Sequence, residues 1–226
     1  MTWNEIYHHN LEQVLAAPNS VLYANSFIIE DPYDHCVANP RSCNYEYTEN
    51  FFNWILSGSK DISTMHNLPT GPGNRAKEFE IDFEGRCTAY GPRILDQLPG
   101  VVDMLLNYPS TRRACIMILD AEDQDVALAL HKGETKCEYP CNMGMTFWID
   151  EGELHMHTTM RSNNYTSTVC IDVFICCNLL IKVASMVGRS VGKYYHHAVN
   201  AHILPRDRSR AIEIMHEHHE KNVGES

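Results

Sequence analysis

Positive charge is scarce in this chain, and what is missing narrows its function before any motif is read. Eighteen Lys and Arg stand against twenty-nine Asp and Glu, giving a net charge of −11 and a pI near 5.6. That balance excludes the broad basic surface a nucleic-acid backbone or an anionic membrane requires, and leaves room for a small anion held by a few arginines. The longest apolar stretch, "VFICCNLLI", is interrupted by Asn178 and ends at Lys182, and the first residues lack the charged start and apolar run of a secretory signal. A soluble, cytoplasmic protein is expected. No CxxC pair occurs, and nine cysteines at irregular spacings favour reduced thiols over a disulfide framework. Repeats, low-complexity tracts and linkers are absent too. With 226 residues and 44% hydrophobic content, one domain spanning 1–226 around one core is the expectation.

Residues 2–16 read as an amphipathic helix, "SVLYANSFIIED" as extended chain closing at the turn-prone "DPYD", and Tyr47 to Leu56 as a helix stopped by Gly58. "NLPTGPGNRAK" has the Pro and Gly content of a surface loop. A helix interrupted at Pro99 then leads through a turn to a strand from Ala114 to Leu119. "MTFWIDEGELHMHTTMR" is the clearest hairpin, with "DEGE" as its turn. Val173 to Gly188 follows as an apolar helix, and "RDRSRAIEIMHEHHEK" as a polar last one. Hairpins and helices that do not alternate regularly predict an α+β fold, a mixed sheet with packed helices.

Cys141 directly follows Pro140 at the mouth of that hairpin. Proline fixes the chain direction and presents the next side chain at a strand start, so Cys141 is either a buried small hydrophobe or a nucleophile. Downstream, Arg161 and Ser162 supply a guanidinium fork and a hydroxyl suited to a phosphate monoester. Arg112 and Arg113 form a second basic pair at a turn entering a strand, where the alternative is solvated surface charge.

"YPSTRRACIMIL", "PCNMGMTFWIDEGELHMHTTMRSNN" and "NAHIL" occur in the order and rough spacing of motifs in the thymidylate synthase family, which the chain resembles from about Thr111 to Leu204. "MRSNN" is more similar to the deoxycytidylate (dCMP) hydroxymethylase branch. The resemblance implies a thymidylate synthase/dCMP hydroxymethylase-like fold in which Cys141 adds to ring position 6 of a pyrimidine nucleotide and makes position 5 a carbon nucleophile toward 5,10-methylenetetrahydrofolate. It implies that Arg161 and Ser162 hold the 5′-phosphate, joined by Arg112 and Arg113 from the other subunit of a homodimer.

Asp172 matches a position where synthases carry asparagine and the cytosine-using branch carries aspartate. A carboxyl group that accepts from the amino group of cytosine and, if protonated, donates to its ring nitrogen is complementary, which points to a cytidylate; the alternative is that Asp172 caps the helix at Val173. By the same resemblance His202 contacts the sugar, although Leu204 replaces the expected tyrosine, and Tyr90 lies near the nucleophile. The family's catalytic glutamate falls in register on Phe51, so Glu49 is assigned the acid/base role with Glu46 as fallback. Asn142 replaces a histidine in the nucleotide site, and Asn164 replaces an aspartate near the folate.

"MHEHHEKNVGES" has no match to the family's closing segment, which favours hydration of the transferred carbon over its reduction. Hydroxymethylation of dCMP or CMP is therefore expected, with methylation of dCMP or dUMP, or an inactive nucleotide-binding homologue, as alternatives. "HMH" at 155–157 and "HEHH" at 216–219 raise a metal-binding module as a rival, but no convergent Cys or carboxylate motif accompanies them and no metal ligand is assigned.

Overall fold

The computed structural model describes residues 1–37, 39, 41–60, 90–135 and 139–224; the loop expected at "NLPTGPGNRAK" lies outside them. Helix α1 (Trp3–Ala16) opens with a capping box in which Thr2 and Glu5 bond each other's backbone N–H groups. A 3-10 turn (Pro18–Ser20) leads into strand β1 (Val21–Ile29), followed by α2 (Tyr45–Ser57) and α3 (Tyr90–Asn107). Then come β2 (Cys115–Met117), α4 (Asp123–Lys132), β3 (Asn142–Asp150), β4 (Glu153–Met160) and the short β5 (Asn163–Asn164). Helix α5 (Val169–Val187), strand β6 (Ser190–His202) and, after a second 3-10 turn, helix α6 (Arg208–Gly224) complete the order.

The strands form one mixed sheet in the order β1-β6-β4-β3-β2, with β5 beside β6. Neighbours β1/β6, β3/β4 and β2/β3 are antiparallel, whereas β4/β6 and β5/β6 are parallel. A parallel pair needs a crossover, and α5 supplies it between β4 and β6. The result is the expected α+β fold with a mixed sheet.

Alternation along the strands sends Phe27, Ile29, Met145, Phe147, Met156, Tyr194 and Ala198 into the core that also holds Val173, Cys176, Cys177 and Leu180 of α5. Helix α5 is long and apolar enough to cross a membrane by length and composition, with a mean hydropathy of 2.0 over its most apolar window; here much of it is buried against the sheet. The other sheet face carries Ser26, Ile28, Trp148, His157, Tyr195, His197 and Val199 and is only partly covered, with Ile28 and Val199 exposed. On that face the His155 ring lies against Gly192, where a Cβ would come within 2.5 Å of the imidazole, and His155 Nδ1 accepts the Lys193 N–H at 2.9 Å.

Two expected boundaries are corrected. Pro99 does not interrupt α3, because Ile94, Leu98, Val101 and Leu105 keep one buried stripe on both sides of it and tertiary burial offsets the missing hydrogen bond. Helix α5 starts at Val169 after Thr168, so Asp172 is not a cap; it sits in the first turn, where the helix dipole favours a carboxylate.

Candidate active site

The β3–β4 hairpin turns at Glu151 and Gly152, both at positive φ (49° and 88°), the backbone a tight two-residue turn demands. Pairing from that point, with a one-residue register shift between Asn142 and Gly144, brings Asn142 opposite Met160, and the Arg161 N–H donates to the Cys141 carbonyl at 2.8 Å. The spacing of 20 residues between thiol and guanidinium is thus a hairpin spacing.

Around Cys141 the contacts are tight. Its N–H donates to Tyr90 Oη at 3.1 Å, so the first residue of α3 fixes the backbone of the nucleophile. Arg161 donates through Nε to the Pro140 carbonyl at 2.8 Å and through Nη2 to the Tyr139 carbonyl at 2.7 Å. Nη2 is also 3.6 Å from Cys141 Sγ, and the guanidinium lies 4.5 Å above the Tyr139 ring. A cation beside a half-buried thiol favours the thiolate, the reactive form. Burial does the opposite elsewhere, pushing the thiols of Cys43 and Cys176 up to about 11 and about 12 and lifting Cys36, Cys170 and Cys177 as well.

Arg161, Ser162, His202 and Leu204 line one cavity of about 390 Å³, with Asn19 and Asn200 on its wall. Ser162 Oγ lies 3.5 Å from His202 Nδ1. Burial, with Arg161 adding to it, lowers the His202 pKa, so at neutral pH the ring enters the cavity as an uncharged hydrogen-bonding group. Phosphate-type and sugar-type partners therefore face one space, with Leu204 contributing an apolar wall.

Asp172 is half-buried and accepts a hydrogen bond from Asn163 Nδ2 at 2.7 Å. Asn142 is 4% exposed, and its Oδ1 has no hydrogen-bond partner among the described residues. Asn164 is held in its own turn, Oδ1 accepting from the Thr166 N–H and hydroxyl and Nδ2 donating to Asp207 at 3.2 Å. Arg112 and Arg113 are exposed ahead of β2 and form no ion pair among the described residues. Glu46 and Glu49 lie on the exposed side of α2, while Phe51 and Trp54 face the core. The register position of the family glutamate is thus a packed aromatic, and no glutamate of α2 is buried.

Two groups of residues were not anticipated from the sequence. Asn163, His196 and Tyr194 stand behind Asp172, and Arg93 forms a two-pronged ion pair with buried Asp123 at 2.6 and 2.8 Å. The only sequence signal for the first was Tyr194 and His196 sharing a strand face two residues apart. As for the histidines weighed as metal ligands, His155 stacks on Trp148 and His218 on His8. Among the described residues no group of three His, Cys, Asp or Glu is disposed to hold an ion.

Comparison with known proteins places this geometry. The family model described as Thymidylate synthase matches residues 52–223. The thermostable thymidylate synthase A of Bacillus subtilis superposes with a TM-score of 0.75 over 95% of this chain and 84% of its own, at 16% identity. The thymidylate synthase of T4 phage gives 0.72 over 92% and 79%, also at 16%. These likenesses carry the fold. A deoxyuridylate hydroxymethyltransferase of Delftia phage PhiW-14 is 30% identical over 84% of this chain, which spans 54% of that relative's length. The fold is that of the thymidylate synthases, and the class is the folate-dependent pyrimidine C5 methyl- and hydroxymethyltransferases. The chain belongs to the thymidylate synthase family.

Proposed function

We propose that the protein is a C5-hydroxymethyltransferase converting dCMP or CMP to its 5-hydroxymethyl derivative through a covalent adduct on Cys141. Two observations carry this reading: a thiol flanked by a guanidinium, Arg161 at Cys141, and a carboxyl group that accepts a hydrogen bond, Asp172 from Asn163. Ring position 5 of a pyrimidine is a poor carbon nucleophile until a thiolate makes position 6 tetrahedral, and the Cys141 thiolate does this. Tyr90 keeps the Cys141 backbone in place, Arg161 and Ser162 hold the 5′-phosphate, and His202 meets the sugar. A carboxylate oxygen set opposite ring position 4 accepts from the cytosine amino group and repels the O4 of uracil, and in that place Asp172 selects the base. Exposed Glu49 keeps the acid/base assignment made on sequence, to be exercised through water.

Methylenetetrahydrofolate supplies the one-carbon unit in this family. One feature of the chain fits it: the buried Oδ1 of Asn142, without a hydrogen-bond partner among the described residues, sits one residue from the nucleophile and suits an N–H donor. Asn142 would hold nucleotide or pterin there, and Asn164 would hold the folate on exchanging its bond to Asp207. Residues 1–226 act as one catalytic domain, in the cytoplasm and without nucleic-acid or membrane partners. Two copies pair through the partly covered sheet face, with Arg112 and Arg113 reaching the partner subunit's phosphate. The aromatic surface of Trp148 and Tyr195 on that face, with exposed Ile28 and Val199, supports this arrangement.

A second reading, hydroxymethylation of dUMP, is favoured by the relative from Delftia phage PhiW-14. Product mass decides between them after incubation with methylenetetrahydrofolate and, separately, dCMP, CMP and dUMP. A hydroxymethylated cytidylate is expected. A product from dUMP alone overturns the base assignment, a methyl product overturns hydroxymethylation, and no product from any nucleotide points to a binding protein.

A further inference from the structure

Behind Asp172 runs a buried polar chain that the reaction itself does not use. Asn163 is 1% exposed; its Nδ2 donates to Asp172 Oδ2 at 2.7 Å and reaches Thr168 Oγ1 at 3.3 Å. The Thr168 hydroxyl proton points to the Asn164 carbonyl, and the same oxygen accepts the Asn164 N–H at 3.2 Å, so Thr168 offers Asn163 only an acceptor. This fixes the amide: NH2 faces Thr168 and Asp172, and Oδ1 faces His196. His196 Nε2 lies 3.0 Å from that oxygen and must carry the ring proton. Burial drives the His196 pKa down to about 3, with His157 and His197 adding repulsion, so the ring has one N–H and Nδ1 is bare. Tyr194 Oη, 2.8 Å from Nδ1, is then the donor. Phe27 stacks on the imidazole at 4.6 Å and holds its plane. Every proton in the series Tyr194, His196, Asn163 points toward Asp172.

We propose that Asn163, oriented by His196 and Tyr194 behind it, is a positioning residue that holds the Asp172 carboxyl as a hydrogen-bond acceptor and thereby sets the base preference of the site. This rests on the proposed reading of Asp172. A rotated or protonated carboxyl would meet uracil as readily as cytosine, whereas one whose free oxygen is held opposite ring position 4 accepts from the cytosine amino group and repels the uracil carbonyl. The buried thiols beside Asp172, those of Cys43, Cys170 and Cys176, are lifted by burial and stay uncharged at neutral pH, so they do not compete for this role.

The test is the ratio of dCMP to dUMP affinities, by titration calorimetry from pH 5 to 8, for the unaltered protein and for Asn163→Ala, Tyr194→Phe and Asp172→Asn. Both nucleotides share phosphate and sugar, so a merely structural defect moves both affinities and leaves the ratio. A hydrogen bond to a charged group corresponds to roughly 10- to 100-fold, so Asn163→Ala is expected to lower the ratio by about that factor. The pH midpoint of dCMP binding should also rise, since a carboxylate stripped of a donor keeps its proton to higher pH. Tyr194→Phe should move both readouts the same way by less. An unchanged ratio in Asn163→Ala, with a collapsed ratio in Asp172→Asn, overturns the positioning role and leaves the base reading intact. An unchanged ratio in Asp172→Asn overturns the base reading and the proposal with it. Should Asn163→Ala fail to fold, Tyr194→Phe decides, and an unchanged ratio there overturns the proposal.

Discussion

Replacing Arg93 by methionine should be among the most damaging single changes outside the substrate pocket. Asp123 is 2% exposed and takes both prongs of the Arg93 guanidinium, while Nη1 also donates to the Ile118 carbonyl just past β2. Methionine fills much of the volume but takes the Arg93 guanidinium away from a buried carboxylate, a loss of roughly 3–5 kcal/mol. Against a total stability of about 5–15 kcal/mol for an ordinary domain, that is a large fraction. The Asp120 N–H, which donates to Asp123 Oδ2 at 2.8 Å, would still have its acceptor. In Arg93→Met/Asp123→Leu the stranded charge is gone but that N–H and the Ile118 carbonyl lose partners, so the double variant should recover only part of the loss, ending about 1–3 kcal/mol below the parent. Urea unfolding of the parent, both single variants and the double variant closes the cycle. Arg93 lies one turn after Tyr90, so alkylation of Cys141 by iodoacetamide, followed by mass spectrometry, should change rate in Arg93→Met as the helix start loosens. A single-variant cost below about 1 kcal/mol, as for an exposed pair, would refute the reasoning.

Three further outcomes are expected. Cys141→Ser should abolish turnover while leaving nucleotide affinity within a few-fold; turnover that survives in a steady-state assay removes the covalent mechanism. Acid should destabilise the fold through histidines whose pKa burial depresses, His8, His157, His202 and most of all His196. Their contribution is complete above the unfolded value near 6.5 and is lost as pH falls toward the folded one, for His196 at about 3, on the order of 4 kcal/mol. Urea midpoints from pH 7 to 4 for the parent and His196→Gln should converge, and parallel curves would contradict this. Gly91→Ala places a Cβ 2.6 Å from the Ile55 carbonyl oxygen, backbone that cannot step aside, and should cost roughly 1–3 kcal/mol by denaturant titration.

The parts of this fold that could be read in advance are those whose signal is local. The hairpin was legible because alternation and an acidic-Gly turn lie within one window; its turn at Glu151 and Gly152, together with the one-residue register shift between Asn142 and Gly144, places Arg161 against Cys141. Helix α1 and strand β1 were legible for the same reason. Strand β6 was not anticipated, because Lys193, His196, His197 and Asn200 obscure its alternation; the buried polar member is tolerated only because Tyr194 and Asn163 satisfy it from two and 33 residues away. Helix α4 went unread as well, its buried Asp123 depending on an arginine 30 residues earlier. Within the site, Tyr90 and Arg161 meet Cys141, and Arg161, Ser162 and His202 line one cavity. Glu49 is the acid nearest in sequence to the family's glutamate position, and helical periodicity turns it away from the buried face that carries Phe51 and Trp54.

The seat of His155 on Gly192 makes those two positions a single unit of variation. Any side chain at 192 would occupy the volume of the imidazole, so it can enter only together with a much smaller residue at 155. That exchange would also remove the ring that stacks on Trp148 and the acceptor for the Lys193 N–H. Libraries that diversify this sheet face one position at a time will therefore find 192 closed, and only paired changes at 155 and 192 will open it.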